Sequence, residues 1–194
     1  MHLFLSSTLD GTVDLFIKEY ELDPKASPVV YIPTAENCFS PPRQLSDRGS
    51  YQCLIEQGFT ITICDLDKNS PDEMQEKMKN AKVIVCAGGN TFFLLYHMKK
   101  SGFHKLLPTL LENDVIYVGS SAGSCVCSPD ISYVKDADDP SLAPELKDFT
   151  GLGLVNFEIY PHCSEEVSPT TEKIFLRDNQ AIVVSSGGYR IVST

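Results

Sequence analysis

The sequence predicts a single α/β domain over residues 1–194, built as a doubly wound, largely parallel sheet with helices on both faces. Three observations carry that expectation. Short apolar runs alternate with longer amphipathic segments, the pattern left by repeated strand–helix–strand crossovers. The first five runs (2–6, 28–32, 60–64, 82–86 and 115–118) are mostly unbroken Val, Ile, Leu, Phe and Cys, which suits strands covered on both faces. Finally, 194 residues with 42% apolar and 22% charged side chains are enough for one continuous core.

Each intervening segment carries helix signals. Asp10 is placed to cap a helix through about residue 20, with Val13, Leu15, Phe16 and Ile17 turned inward. A second helix is expected from Pro42 to residue 57, closed by Gly58. Ser70-Pro71-Asp72-Glu73 is a helix start: a capping hydroxyl, Pro at the first helical position, and acids against the dipole. Segments 91–100 and 103–113 complete the helices, and runs 155–160 and 181–185 complete the strands. Residues 129–150 break the rhythm with Pro129, Asp136, Asp138, Asp139, Pro140 and Pro144. A connector this long reads either as a functional loop or lid, or as a solvated surface loop.

Charge excludes several classes of function. Acidic residues outnumber basic ones 26 to 16, for a net charge of −10. That opposes binding to nucleic acid, which requires a basic face, and to an anionic membrane surface. No apolar run approaches the roughly 20 residues needed to span a bilayer. The seven cysteines form no CxxC pair and no zinc spacing, so no metal and no cofactor are expected. Their odd number, and an N-terminal stretch unlike a secretion leader, lead to the expectation of reduced thiols in the cytoplasm.

Chemistry concentrates at two glycine turns. Gly119-Ser120-Ser121-Ala122-Gly123 follows the run 115–118 and precedes a short helical stretch that Pro129 ends. Strand, GxSxG, helix is the context of a nucleophile elbow, in which a sharp turn lifts the central hydroxyl above the sheet. Ser121 is the central residue and Ser120 the variable one. The N–H of Ala122 is then aimed at a developing oxyanion. Cys86-Ala87-Gly88-Gly89-Asn90-Thr91 also joins a strand to a helix, without the spacing of a dinucleotide or P-loop site. In a parallel sheet both turns lie at the carboxyl edge, so Gly88 or Gly89 is the candidate for a second oxyanion donor.

Of four histidines, His162 stands apart. It follows Tyr160-Pro161 at the end of the run 155–160, the same edge as Ser121, and is the candidate base. The third member is open among Asp136, Glu158 and Asp130. In a straight strand, four residues at about 3.3 Å each put Glu158 roughly 13 Å from His162, so Asp136 ranks first.

These residues together resemble the peptidase E family, serine enzymes that cleave dipeptides with an N-terminal aspartate. The likeness runs through Ser6-Ser7-Thr8, Gly88-Gly89-Asn90-Thr91-Phe92 with Leu94-Leu95, Gly119-x-Ser121-Ala122-Gly123, and Pro161-His162. It implies a class I glutamine-amidotransferase-like, flavodoxin-like fold and a peptide substrate, with Asp136 where members place the acid. Members specific for aspartyl substrates carry an Arg early in the helix after the catalytic His. Here that stretch is Ser168-Pro169-Thr170-Thr171-Glu172-Lys173, with Arg177 only later, and with Glu165, Glu166 and Glu172 nearby. Asn90, Thr171 and Arg177 are the candidate substrate-binding residues. The missing early Arg predicts weak cleavage of Asp-X peptides.

The leading expectation is therefore a serine peptidase acting on short peptides, as a monomer or homodimer. An esterase or amidase using the same residues, or a binding protein that keeps the fold without turnover, are the alternatives.

Overall fold

The unbroken apolar runs become the inner strands of a seven-stranded sheet. The computed structural model describes residues 1–41, 43–165 and 167–194. Sheet order is β3 (Ile61–Ile63), β2 (Val29–Ile32), β4 (Val83–Cys86), β5 (Ile116–Ser120), β1 (His2–Ser6), β8 (Gln180–Ser185) and β9 (Gly188–Ser193). The first five are parallel. β8 runs antiparallel to β1, and β9 antiparallel to β8.

Alternate residues of the inner strands divide between two apolar clusters. Leu3, Leu5, Val30, Ile32, Ile84 and Tyr117 join one cluster, with Leu95, Met98 and Phe103. Phe4, Val29, Tyr31, Val83, Val85 and Val118 join the other, with Phe16, Leu54 and Phe59. Side chains on successive strand residues point to opposite faces, so the sheet is covered on both sides, as the continuous apolar runs require.

One strand expectation needs correction, and two further strands lie outside the expected runs. Only Glu158–Tyr160 of the run 155–160 is a strand, β6. It leaves the main sheet and pairs in parallel with β7 (Lys173–Phe175). Its Ile159 is buried while its neighbours are half-buried, the signature of a strand covered on one face. β9 has no apolar run to announce it, because most of its residues are exposed. It forms as the return arm of a hairpin across Ser186-Gly187.

The helices are α1 (Val13–Glu19), α2 (Gly49–Glu56), α3 (Pro71–Met78), α4 (Thr91–Lys100), α5 (Phe103–Glu112) and the short α6 (Ala122–Cys125). Asp10 does not cap α1, whose N-cap is Thr12; its carboxylate lies instead beside Gly49. α2 is shorter than expected, a 3-10 turn at Leu45–Asp47 standing ahead of it, and the expected start at Pro42 lies outside the described residues, as does Glu166. Asn90 caps α4 by accepting from the Phe93 N–H at 2.9 Å.

The long polar connector is anchored rather than free. Residues 129–150 carry two 3-10 turns, Ser132–Asp136 and Pro140–Leu142, and Asp130 bridges Thr150 at its base. Val134, Ala143 and Leu146 sink into the larger cluster. Asp138 accepts from the Thr91 N–H at 2.8 Å, fixing the segment against the start of α4.

The start of α3 forms the reciprocal cap its sequence predicts: Ser70 accepts from the Glu73 N–H, and Glu73 from the Ser70 N–H at 2.8 Å. Ser70→Ala is expected to lower stability by about 1 kcal/mol. Urea unfolding would read this as a lower midpoint with an unchanged slope.

Candidate active site

The elbow around Ser121 is held by packing that only small residues allow. Ser121 adopts φ 50° and ψ −110°, a strained conformation for a residue with a Cβ. Its N–H donates to the Ser6 carbonyl at 3.1 Å, and the Ser124 hydroxyl donates to the same carbonyl at 2.8 Å. The Tyr117 hydroxyl, fully buried, donates to the Gly123 carbonyl at 2.7 Å. A Cβ on Gly123 would lie 2.2 Å from the Cys86 carbonyl oxygen, so α6 reaches β4 only because residue 123 has no side chain. Ser120 points elsewhere: its buried hydroxyl accepts from the Leu9 N–H at 3.2 Å.

His162 faces the serine. Its Nε2 is 2.8 Å from the Ser121 Oγ, and its own backbone sits at φ 62°. The His162 N–H donates to the Ser7 Oγ at 2.7 Å, just beyond the end of β1. The imidazole Nδ1 is 2.8 Å from the Asp178 Oδ1, to which the Ser7 hydroxyl also donates at 2.7 Å. A carboxylate opposite Nδ1 fixes the proton there and leaves Nε2 to accept from the serine hydroxyl. Burial pulls the Asp178 carboxyl upward, but hydrogen bonds from Ser7 and His162 outweigh it and hold the group below its ordinary value. It is therefore ionised at neutral pH.

The carboxylate at Nδ1 is thus none of the three expected. Asp136 makes no hydrogen bond to His162 among the described residues and lines a cavity instead. Glu158 accepts from the Tyr160 hydroxyl at 2.6 Å and lies 3.5 Å from the Lys173 Nζ. Asp130 accepts from the Ser132 N–H at 2.7 Å. The reason is topological. In an all-parallel sheet, residues just before a strand lie at the amino edge, away from Ser121. Because β8 is antiparallel to β1, its beginning meets the end of β1, and Asp178 arrives at the carboxyl edge. The sequence alone assigns Ser7 no role, although its place immediately after β1 puts it at that edge.

The oxyanion candidates remain available as donors. The N–H groups of Gly88, Gly89 and Ala122 have no acceptor among the described residues. Gly88 lies against the serine, since a Cβ there would sit 3.3 Å from the Ser121 Cβ. Gly89 has φ 133°, and a Cβ on it would be 2.4 Å from the Ala35 carbonyl. The candidate substrate-binding residues fare differently. Asn90 is buried, its amide donating to the Asp139 carbonyl at 2.9 Å. Thr171 is exposed and Arg177 half-buried, and neither lines a cavity that contains Ser121; their segment leads into β7 rather than a helix.

Two cavities meet at Ser121 and His162. One, of about 540 Å³, is walled by Cys125, Tyr133, Ile159 and Tyr160 and carries the carboxylates of Asp136 and Asp138. The other, of about 290 Å³, is bounded by Thr8, Asp10, Glu36 and Arg43. Among the described residues, no group of three or more His, Cys, Asp or Glu side chains is arranged to hold a metal ion, and no helix is long and apolar enough to cross a membrane.

Comparison with known proteins places this geometry in context. A family model, Peptidase family S51, matches residues 5–192. An uncharacterized peptidase of Pasteurella multocida is 34% identical over 160 residues, covering 82% of this chain and 76% of the relative. A protein named peptidase E from Nostoc is 36% identical over 98 residues, covering 50% of this chain and 39% of its own length. The crystal structure of a putative peptidase E protein from Listeria monocytogenes superposes with a TM-score of 0.89 at 27% identity, covering 100% of this chain and 98% of that one. A peptidase from an acI-B1 Actinobacterium, at 18% identity and a TM-score of 0.68, shares the fold.

The contact between Gly123 and Cys86 gives a direct test of the elbow. Gly123→Ala is expected to cost about 1–3 kcal/mol, because the methyl meets main chain that cannot rotate away. Thermal unfolding measures this; an unchanged midpoint would mean that α6 shifts without resistance.

Proposed function

The chain belongs to peptidase family S51 and is a serine peptidase, and from that premise we propose that Ser121 is its nucleophile, His162 its general base and Asp178 the carboxylate that orients the base. The observation that carries the reading is the continuous relay from the Ser121 Oγ through both imidazole nitrogens to Asp178, with 2.8 Å at each step. Ser121 attacks the scissile carbonyl while His162 Nε2 takes its proton. The carbonyl oxygen becomes an oxyanion facing the N–H groups of Ala122 and of Gly88 or Gly89. His162 then gives its proton to the leaving amine, the C–N bond breaks, and an acyl-Ser121 ester remains. Water, deprotonated by His162, releases the acid and restores the serine. Asp178 stabilises the imidazolium at each stage and needs no proton of its own.

The substrate in this reading is a short peptide. Residues lining the 540 Å³ cavity include Asp136 and Asp138 and no Lys or Arg, which supports a neutral or basic first residue over aspartate. One domain carries the whole activity and works without a cofactor, since acyl transfer through a serine requires none. Seven unpaired cysteines suit a reducing cytoplasm.

Ser121→Ala is expected to abolish turnover and fluorophosphonate labelling, whereas Ser120→Ala keeps the labelling. Asp178→Asn should lower kcat by roughly 10³–10⁴-fold with the fold retained, because the wrong tautomer is then favoured. Labelling that survives Ser121→Ala would remove the assignment. On a dipeptide panel, Ala-Leu and Lys-Leu should be cut faster than Asp-Leu. Rapid cleavage of Asp-Leu alone would reverse the specificity.

A further inference from the structure

The cleft is electrically polar, and the polarity runs across Ser121. On one side stand Asp136 and Asp138 with no cationic side chain in the cavity wall. On the other, Arg43 is the one Lys or Arg among the described residues that line a cavity containing Ser121. Arg43 also borders a third cavity of about 450 Å³, together with Arg48, Lys68 and Lys77. Of these four cationic side chains, Arg43 alone also lines a cavity that contains Ser121, and Lys68 is paired with Asp65 at 2.9 Å.

Neighbouring acids do not cancel the charge on Arg43. Glu36 Oε2 lies 3.0 Å from the buried Arg48 Nε, and Glu36 Oε1 lies 3.6 Å from the Arg43 Nη1. One carboxylate shared by two guanidiniums leaves a net positive charge. Asp10 also lines the cavity shared by Arg43 and Ser121, but its carboxylate sits against Gly49 in the first turn of α2, where the positive end of the helix dipole offsets part of its charge. The Arg43 side chain is held by donation from its Nη2 to the Asp47 carbonyl at 2.5 Å, yet is 56% exposed and open to a ligand.

A short unblocked peptide is itself polar, with an ammonium at one end and a carboxylate at the other. In a dipeptide the ends stand about 7 Å apart when extended, with the scissile bond between them. Placing that bond at Ser121 puts one end in each cavity. The ammonium end then meets Asp136 and Asp138, and the carboxylate end meets Arg43. The opposite orientation sets a carboxylate beside Asp136 and Asp138 with no Lys or Arg in the wall, whereas the other cavity sets Arg43 against Asp10 and Glu36. We propose that Arg43 binds the free C-terminal carboxylate of the leaving portion of the substrate, so that cleavage is confined to the last bonds before a free C terminus. This rests on Ser121 as the nucleophile. It adds a residue that determines substrate length, a role that neither Thr171 nor Arg177 can fill from outside the cleft.

The test separates binding from chemistry. Calorimetry on the Ser121→Ala protein compares Ala-Leu with Ala-Leu amide, which differ only in the terminal charge. The free acid is expected to bind about tenfold or more tightly, the scale of a charge-assisted hydrogen bond. Arg43→Gln in the same background should close the gap, and Arg43→Lys should keep part of it. Equal affinity for the two ligands, a gap that survives Arg43→Gln, or no binding of either at millimolar concentration would overturn the assignment. Fluorophosphonate labelling of the protein with Ser121 intact reports separately on the nucleophile. Its failure would count against the catalytic reading, while the calorimetry still judges Arg43.

Discussion

The Ser7 hydroxyl is the fastening on which the site depends. It accepts from the His162 N–H and donates to the Asp178 carboxylate, so one side chain fixes both the imidazole segment and its carboxylate partner. The preceding residue does the same for the elbow, because the Ser6 carbonyl takes hydrogen bonds from both the Ser121 N–H and the Ser124 hydroxyl. β1 lies between β5 and β8 in the sheet, and the parts of the site meet where it ends. Two residues with side chains, Ser121 and His162, take positive φ there. Each costs on the order of 1–3 kcal/mol in backbone strain, and persists only because the surrounding hydrogen bonds leave no relaxed alternative.

Local chemistry is legible in the sequence and long-range chemistry is hidden. Ser121 is readable because its strand, glycines and helix are contiguous, and a nucleophile elbow is a local object. His162 is readable from Pro161 and its place after a strand-like run, although that strand leaves the main sheet. Asp178 is not readable, because nothing near it marks a catalytic acid. Its position follows from the reversed direction of β8, which an apolar run does not disclose. Asp136 belongs to the expected cleft but not in the expected role, since it lines the cavity without touching the imidazole. Asn90 shows the same limit, since a polar residue in a glycine turn can serve a helix cap as readily as a ligand.

Fold and cleft divide the work between rigid and adaptable parts. The glycine turns are closed in by backbone on several sides, as the Gly89–Ala35 and Gly123–Cys86 contacts show. The walls of the cavities include side chains from the 129–150 segment and from the stretch before α2. That stretch brings Arg43, and the 129–150 segment brings Asp136 and Asp138. Donor geometry is thus set by main chain in the sheet, and the charge of the cleft by connectors. Changes of preference can accumulate in those connectors without disturbing the elbow.

The bonds that Ser7 makes span 155 residues to His162 and 171 to Asp178. Contacts so distant along the chain form only when the intervening segments have already found their places, since closing so large a loop early has little local reward. The turn and glycines of the elbow are contiguous in sequence, although the Ser6 carbonyl that holds it is distant, whereas an oriented imidazole has no local source at all. Under the proposed assignment, a partly folded chain would carry the serine without an oriented imidazole to activate it. Under the same assignment, peptide hydrolysis requires these long-range closures as well as the elbow.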